Sequence, residues 1–170
     1  MYYNGKGVAQ DYTQALYWFK KAIEEHGNAM TQNMLGIMNV DDIAEADAQS
    51  NLGLMYYEGH GVAQDYKQAL DLYKKAAEYG AERGQVYLGR MYYEGRGVAQ
   101  DYKQALYWYK KAAEQGSAGG QSWLGIMYYS GKGVAQDYKQ ALYWYKKAAE
   151  QGEPTAQNML GRINKEQGIH

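Results

Sequence analysis

The sequence predicts an all-α solenoid of antiparallel helix pairs, and three observations carry that expectation. The phrase GVAQDY begins at Gly7, Gly61, Gly97 and Gly133, and the stretch Gly97–Gly116 recurs letter for letter as Gly133–Gly152, a period of 36 residues. In a chain of 170 residues such a period means that each unit stacks on its neighbours, because one unit cannot bury its apolar face alone. Within each unit the apolar residues recur at helical spacing, and a glycine closes each run.

Each unit divides into two helices. Asp101, with Gln104 three residues on, reads as a capping box in which the carboxylate accepts from first-turn amides and the glutamine reaches back. A B-type helix over 101–115 follows, with Ala105, Leu106, Tyr109, Ala112 and Ala113 on one side, and Gly116 ends it. The preceding A-type helix, over 82–94, carries Leu88, Gly89, Met91 and Tyr92. A glycine inside a helix costs about 1 kcal/mol against alanine, so its return at Gly36, Gly53, Gly89, Gly125 and Gly161 implies close approach of a neighbouring backbone, with Ala105 as the matching small residue. Gly95 and Gly97 bracket Arg96 in a turn that needs positive φ, and Val98 turns toward the core.

The pattern L-G-x-M-Y-Y-x-G-x-G-V-x-x-D-Y-x-x-A-x-x-W-Y-x-K-A-A-x-x-G resembles the Sel-one-like repeat (SLR), a relative of the tetratricopeptide repeat, and the resemblance covers nearly the whole chain. It implies a right-handed superhelix whose A-type helices line the concave wall. It also implies an adaptor role, of the kind such repeats serve in bacterial signalling, envelope and host-interaction systems and in eukaryotic membrane-associated degradation complexes. Some relatives are cysteine-rich and secreted, and this chain, with no cysteine, departs from them.

Taken in order, the chain reads as one solenoid domain over 1–170. A partial first repeat spans 1–27: Met1 aligns with Met91, so the chain opens inside an A-type helix, as a fragment or a shortened gene would. Its B-type helix, Asp11–His26, turns Ala15, Leu16, Phe19, Ala22 and Ile23 inward. A truncated repeat over 28–43 keeps Leu35, Gly36 and Met38 but runs through Asn39-Val40-Asp41-Asp42 into another A-type helix without a B-type helix between. Either Asp42 and Glu45 form a cap after a break near 39–42, or 28–57 is one helix of about 43 Å at 1.5 Å per residue. The unpaired first B-type helix and this junction predict self-association, with a homodimer through the truncated region as one form. Regular repeats follow at 44–80, 81–116 and 117–152. A polar capping helix occupies 153–170, starting at Pro154 and replacing two tyrosines by Asn164 and Lys165.

Composition narrows the chemistry. A net charge of −1 lacks the basic footprint of a nucleic-acid binder, and no apolar run reaches membrane-spanning length. No signal peptide is visible, and the absence of cysteine leaves the compartment open, periplasmic or secreted as well as cytoplasmic. His26, His60 and His170 stand at unrelated repeat positions, so neither a metal site nor any other cofactor is expected. Asp11, Asp65, Asp101 and Asp137 read as helix caps, and Ser130–Val134 as a turn rather than a phosphate loop. No Ser-x-x-Lys follows Ser50, Ser117, Ser122 or Ser130, and no acid, base and nucleophile constellation is present, so the expectation is a non-enzymatic protein. Twenty tyrosines against one phenylalanine mostly occupy repeat positions, where they pack helices with the hydroxyl reaching solvent.

Positions that packing dictates repeat, and those free of packing can serve recognition. On the A-type helices the varying places are Asn51 and Leu54, then Arg83, Tyr87 and Arg90, then Trp123 and Ile126, at spacings of three and four that share one helix face. These seven residues form the expected binding strip, rich in the arginine and aromatic types favoured at hot spots. A second varying set, Glu58, Glu94 and Ser130 with His60, Arg96 and Lys132, lies on the loop edge. The function expected is a scaffold binding a protein or peptide on its concave face. The alternative is a carbohydrate or cell-wall glycan binder that uses Tyr87, Trp123 and other exposed aromatics as stacking platforms.

Overall fold

Our computed structural model describes residues 40–166 together with Tyr17, Trp18 and Lys21. Among the described residues there are seven helices and no strand: α1 (Val40–Glu58), α2 (Tyr66–Glu78), α3 (Glu82–Glu94), α4 (Tyr102–Glu114), α5 (Ala118–Ser130), α6 (Tyr138–Glu150) and α7 (Pro154–Glu166). The odd-numbered helices are A-type and the even-numbered B-type, and consecutive helices pack as the predicted all-α solenoid requires. The chain forms two compact units, residues 1–88 with 96–98, and residues 89–95 with 99–170, so α3 contributes to both. None of the described helices is long and apolar enough to cross a membrane.

The aspartates cap as expected. Asp101 sits in extended backbone and its Oδ1 accepts from the amides of Lys103 and Gln104 at 2.9 and 3.1 Å; Asp65 and Asp137 repeat this geometry. The reciprocal half of the box is replaced, because the backbone amide of Asp101 donates to the Tyr92 carbonyl at 2.9 Å, which ties the B-type helix to the preceding A-type helix. At the other end Gly116, at φ 98°, lets Ser117 donate to the Ala112 carbonyl and close the last turn. Gly97 needs its freedom twice over: its φ is 69°, and a methyl group there would lie 2.6 Å from the Tyr66 carbonyl oxygen.

The helix glycines meet a different partner from the one expected. A methyl group at Gly53 would stand 2.8 Å from the ring of Tyr73, one at Gly89 2.7 Å from Tyr109, and one at Gly125 2.5 Å from Tyr145. Each glycine therefore receives the flat side of the following B-type tyrosine, and not Ala105 or its equivalents. The small-residue contact lies a turn earlier, where Gly84 and Gly120 meet Ala76 and Ala112 of the preceding B-type helix and Ala156 takes the corresponding place in α7. Tyr73, Tyr109 and Tyr145 are fully buried, so their hydroxyls do not reach solvent as the sequence reading supposed. The Tyr145 hydroxyl has no protein hydrogen-bond partner among the described residues, and its burial pushes its pKa far above the usual tyrosine value.

α1 departs from the regular repeat. It begins at Val40, ahead of the expected boundary at 44, and runs 19 residues where the other six helices have 13. Asp42 lies within the helix, so it does not stand at an N-cap after a break near 39–42. Whether the helix extends over 28–39, and the partners of the first B-type segment, lie outside the described residues.

The cap of α7 was not expected. Glu153 Oε2 accepts from the Ala156 amide at 2.6 Å. Burial alone would raise its carboxyl, but the Ser122 hydroxyl and the amides of Ala156 and Thr155 prevail and hold it below the usual glutamate value. A depressed carboxyl stabilises the fold above its ordinary pKa and loses that effect as pH falls through the lower folded value. Glu153→Ala is expected to cost about 1 kcal/mol at neutral pH, measured by urea unfolding, with the gap from wild type closing in acid below pH 4.5. The glycines supply a paired test. Gly125→Ala should destabilise by about 1–3 kcal/mol through overpacking, whereas Gly161→Ala, which meets nothing within 4 Å, should stabilise by about 1 kcal/mol through helix propensity.

Candidate functional site

The expected strip is carried by A-type helices in both units. In the first unit Arg83, exposed at the start of α3, donates from Nη1 to Asn51 Oδ1 on α1 at 2.7 Å. One turn on, the half-buried Tyr87 lies flat against Tyr73, with centroids 5.0 Å apart and planes within 5°, while its edge meets Tyr57 at 6.0 Å. Tyr73 is thus held between Gly53 and Tyr87. In the second unit Trp123 covers Tyr109 in the same way, at 5.1 Å and 4°, and also meets Tyr93 at 5.2 Å. The equivalent of these two rings in α7 is Met159, packed against the cluster around Tyr145.

The strip is therefore not free of packing. Leu54 is a correction: it is 7% exposed, so it belongs to the core and offers no accessible contact. Ile126 is half-buried and packs against the same cluster as Met159. Arg90 is half-buried, and its Nε donates to Glu94 Oε1 at 2.8 Å one turn along α3. Asn51, Arg83, Tyr87, Arg90, Trp123 and Ile126 remain at least partly exposed, each already fixed by an intramolecular contact. Variation between copies therefore marks substitution within a packing role as well as freedom from one.

The loop-edge set shows this most clearly. Arg96 Nη1 donates to the Tyr57 hydroxyl at 2.9 Å, and its guanidinium lies 5.3 and 5.5 Å from the rings of Tyr57 and Tyr66. Lys132 repeats the arrangement one period later, donating to the Tyr93 hydroxyl at 2.9 Å and standing 4.7 and 5.1 Å from the Tyr93 and Tyr102 rings. Each cation reaches back across one repeat and rests against an edge-to-face tyrosine pair. The sequence signal was the repeated cation at positions 96 and 132 opposite the fixed tyrosines of the previous unit. His60, at the same position, instead bonds Glu58 at 2.9 Å.

Aromatic surface lies elsewhere. On α4 Tyr107 and Trp108 form an edge-to-face pair 5.0 Å apart with the Lys111 ammonium 5.1 and 5.7 Å from the two rings, and Tyr143, Trp144 and Lys147 repeat it on α6. Tyr107 and Tyr143 are each 48% exposed, as is Tyr138 at the start of α6. Spacings of one and four on the solvent side of a B-type helix carry this signal in the sequence.

Consecutive helix pairs in contact, with no strand among the described residues, define an all-α solenoid. A profile described as Sel1 repeat matches residues 1–26, 46–80, 83–117 and 118–153, and the chain belongs to the Sel1 repeat family, whose members are generally protein-interaction scaffolds. No curated protein matches the sequence. Among solved structures it is similar to c5321, a protective antigen of uropathogenic Escherichia coli with an SLR fold, at 40% identity and TM-score 0.76 over 97% of this chain and 32% of that one. It is similar to a Sel1 repeat protein from Oxalobacter formigenes at 32% identity and TM-score 0.80, over 99% of this chain and 60% of that one. The cysteine-rich protein B of Helicobacter pylori matches at 25% identity and TM-score 0.57, over 92% and 99%. The chain thus spans about a third and three fifths of the length of the first two.

The Lys132 contact can be titrated. The hydrogen bond with Tyr93 outweighs desolvation and raises its ammonium above the ordinary value of 10.5. Its stabilising effect is therefore complete below pH 10.5 and fades as pH rises through the folded value. Lys132→Met is expected to lower stability by about 0.5 kcal/mol, a small figure because the group is largely solvated. The difference from wild type in urea midpoint should hold from neutral pH to 10 and shrink beyond 10.5.

Proposed function

We propose that the chain binds a protein or peptide on the exposed face of its A-type helices, without catalysing a reaction. The observation that supports this most is the pair of half-exposed aromatics, Tyr87 and Trp123, each held flat against a buried tyrosine. A ring already fixed in one orientation loses little entropy on binding, and arginines set beside it add charge recognition. Arg83 and Arg90 supply that charge, held by Asn51 and Glu94. The partner class favoured is an acidic segment carrying an aromatic or aliphatic anchor.

The test is a selection from a random peptide library against the wild-type chain. Enrichment of acidic, aromatic-containing peptides is expected. Their affinity should fall about tenfold or more, near 1.4 kcal/mol, in a chain carrying Arg83→Glu and Arg90→Glu, whose side chains are exposed enough to change without unfolding it. Peptides that bind wild type and double variant alike would contradict the proposal.

A second reading, glycan binding, draws on the Tyr107–Trp108 and Tyr143–Trp144 pairs, in which the tyrosines are exposed and the tryptophans half-buried, since an accessible ring face is what sugar stacking requires. It transfers the platform from Tyr87 and Trp123, whose inner faces are taken, to the B-type helices. Cell-wall oligosaccharides should then shift tryptophan emission in wild type and leave it unshifted in Trp108→Phe plus Trp144→Phe at the same concentration. Unshifted emission in wild type would remove this reading.

A further inference from the structure

The outer faces of α4 and α6, both in the second unit, carry side chains that the solenoid does not need. α2 has Asp71 and Leu72 where α4 has Tyr107 and Trp108, yet it starts at the same kind of aspartate cap and buries the equivalent residues Ala69, Tyr73 and Ala76. Packing therefore does not account for the Tyr–Trp pairs. Each pair also holds an ammonium group from the next turn, Lys111 on α4 and Lys147 on α6, within 5.7 Å of both ring centroids.

Positive charge lies along the same faces. Lys103, Tyr107, Lys110 and Lys111 stand at spacings of four, seven and eight, which share one side of a helix, and all four are exposed. Lys139, Tyr143, Lys146 and Lys147 repeat them on α6. None of these six lysines is in an ion pair among the described residues, although Glu114 and Glu150 stand one turn away. The two helices are joined at one end, since Gln151, just past α6, donates from Nε2 to the carbonyl of Gly116, just past α4, at 2.9 Å.

From this we infer that α4 and α6 together bind a linear acidic polysaccharide, a polymer of uronic acids whose rings rest on the Tyr–Trp pairs and whose carboxylates meet the lysines. The inference rests on the glycan reading of these pairs and names the class of sugar. Charge selects it, because an aromatic platform surrounded by unpaired ammonium groups favours a sugar that carries an anion. Repetition selects a polymer: the two platforms are identical in sequence, and a ligand that engages both must itself repeat. Each contact is shallow, so affinity comes from occupying both platforms at once. An anionic membrane fits less well, because surface binding requires apolar side chains that enter the acyl boundary, and the exposed large hydrophobics of α4 and α6 are tyrosines. A nucleic acid draws its affinity from neutralising many phosphates, which a chain of net charge −1 does not favour.

The probe is a long oligogalacturonate titrated into the full chain by calorimetry, with digalacturonate and the methyl-esterified long oligomer as comparisons. Saturable, salt-sensitive binding of the long acid is expected. The neutral ester, and the acid against Lys111→Gln plus Lys147→Gln, should each bind about tenfold or more weaker. Giving α4 the residues of α2, Tyr107→Asp with Trp108→Leu, should bring the long oligomer down toward the affinity of digalacturonate. α2 folds with those residues, and an unchanged urea midpoint checks that α4 does too. Arg83→Glu plus Arg90→Glu should leave this binding unchanged. Equal binding of acid and ester would overturn the acidic ligand while leaving the glycan reading in place, and no binding of either would remove both. Tighter binding of polyglutamate, of a single-stranded oligonucleotide or of phosphatidylglycerol vesicles than of the oligogalacturonate would also overturn the inference.

Discussion

The rest of the structure depends on a tyrosine ring lying where a side chain is missing. An A-type helix gives up about 1 kcal/mol of helix propensity at its central glycine, and the following B-type helix lays Tyr73, Tyr109 or Tyr145 into the space. Burying a side chain of that size returns about 1.5–3 kcal/mol, and the ring then presents its other face to the next A-type helix. Tyr87 and Trp123 cover that face of Tyr73 and Tyr109, and Met159 packs against the cluster that holds Tyr145. One buried ring thus joins the two helices of its own repeat to the first helix of the next, and the joint recurs because the sequence does.

Around this joint the polar contacts fix direction more than they add stability. The aspartate caps set where each B-type helix starts, and their amides bond back to the preceding helix, so the turn through Gly95 and Gly97 has one geometry. Arg96 and Lys132 extend from that turn to the tyrosine pair of the previous repeat. These cations are half-exposed and each contributes little, but they bind one period to the next at the loop edge, while the rings do so in the core.

The fold was legible because packing is periodic. Helix type, the Asp caps, the terminal glycines and Pro154 as the first residue of α7 can all be read from the repeat, and each has a local cause. The partner of Gly89 was not legible: an invariant glycine shows that something comes close, and only the three-dimensional register distinguishes Tyr109 from Ala105. The candidate site was legible in part. Asn51, Arg83, Tyr87, Arg90, Trp123 and Ile126 do keep some exposure, but Leu54 is core, and inferring freedom from variation fails where tyrosine and tryptophan stack alike on one buried ring. α1 begins earlier than the repeat implies, because Val40–Glu45 continues the helix without a breaking residue. The Tyr–Trp–Lys clusters of α4 and α6 are hard to read for the opposite reason, since identical copies carry no variation to set them apart from packing positions.

If the ring and the glycine form one joint, changes to them must depend on each other. A double-mutant cycle on Gly125→Ala and Tyr145→Leu, followed by urea unfolding, measures that dependence directly. The alanine should be costly beside Tyr145 and nearly harmless beside the smaller leucine, a coupling of about 1 kcal/mol or more. Additive effects of the two substitutions would show that the ring and the glycine do not act together, and the account of what holds the repeats in register would fail.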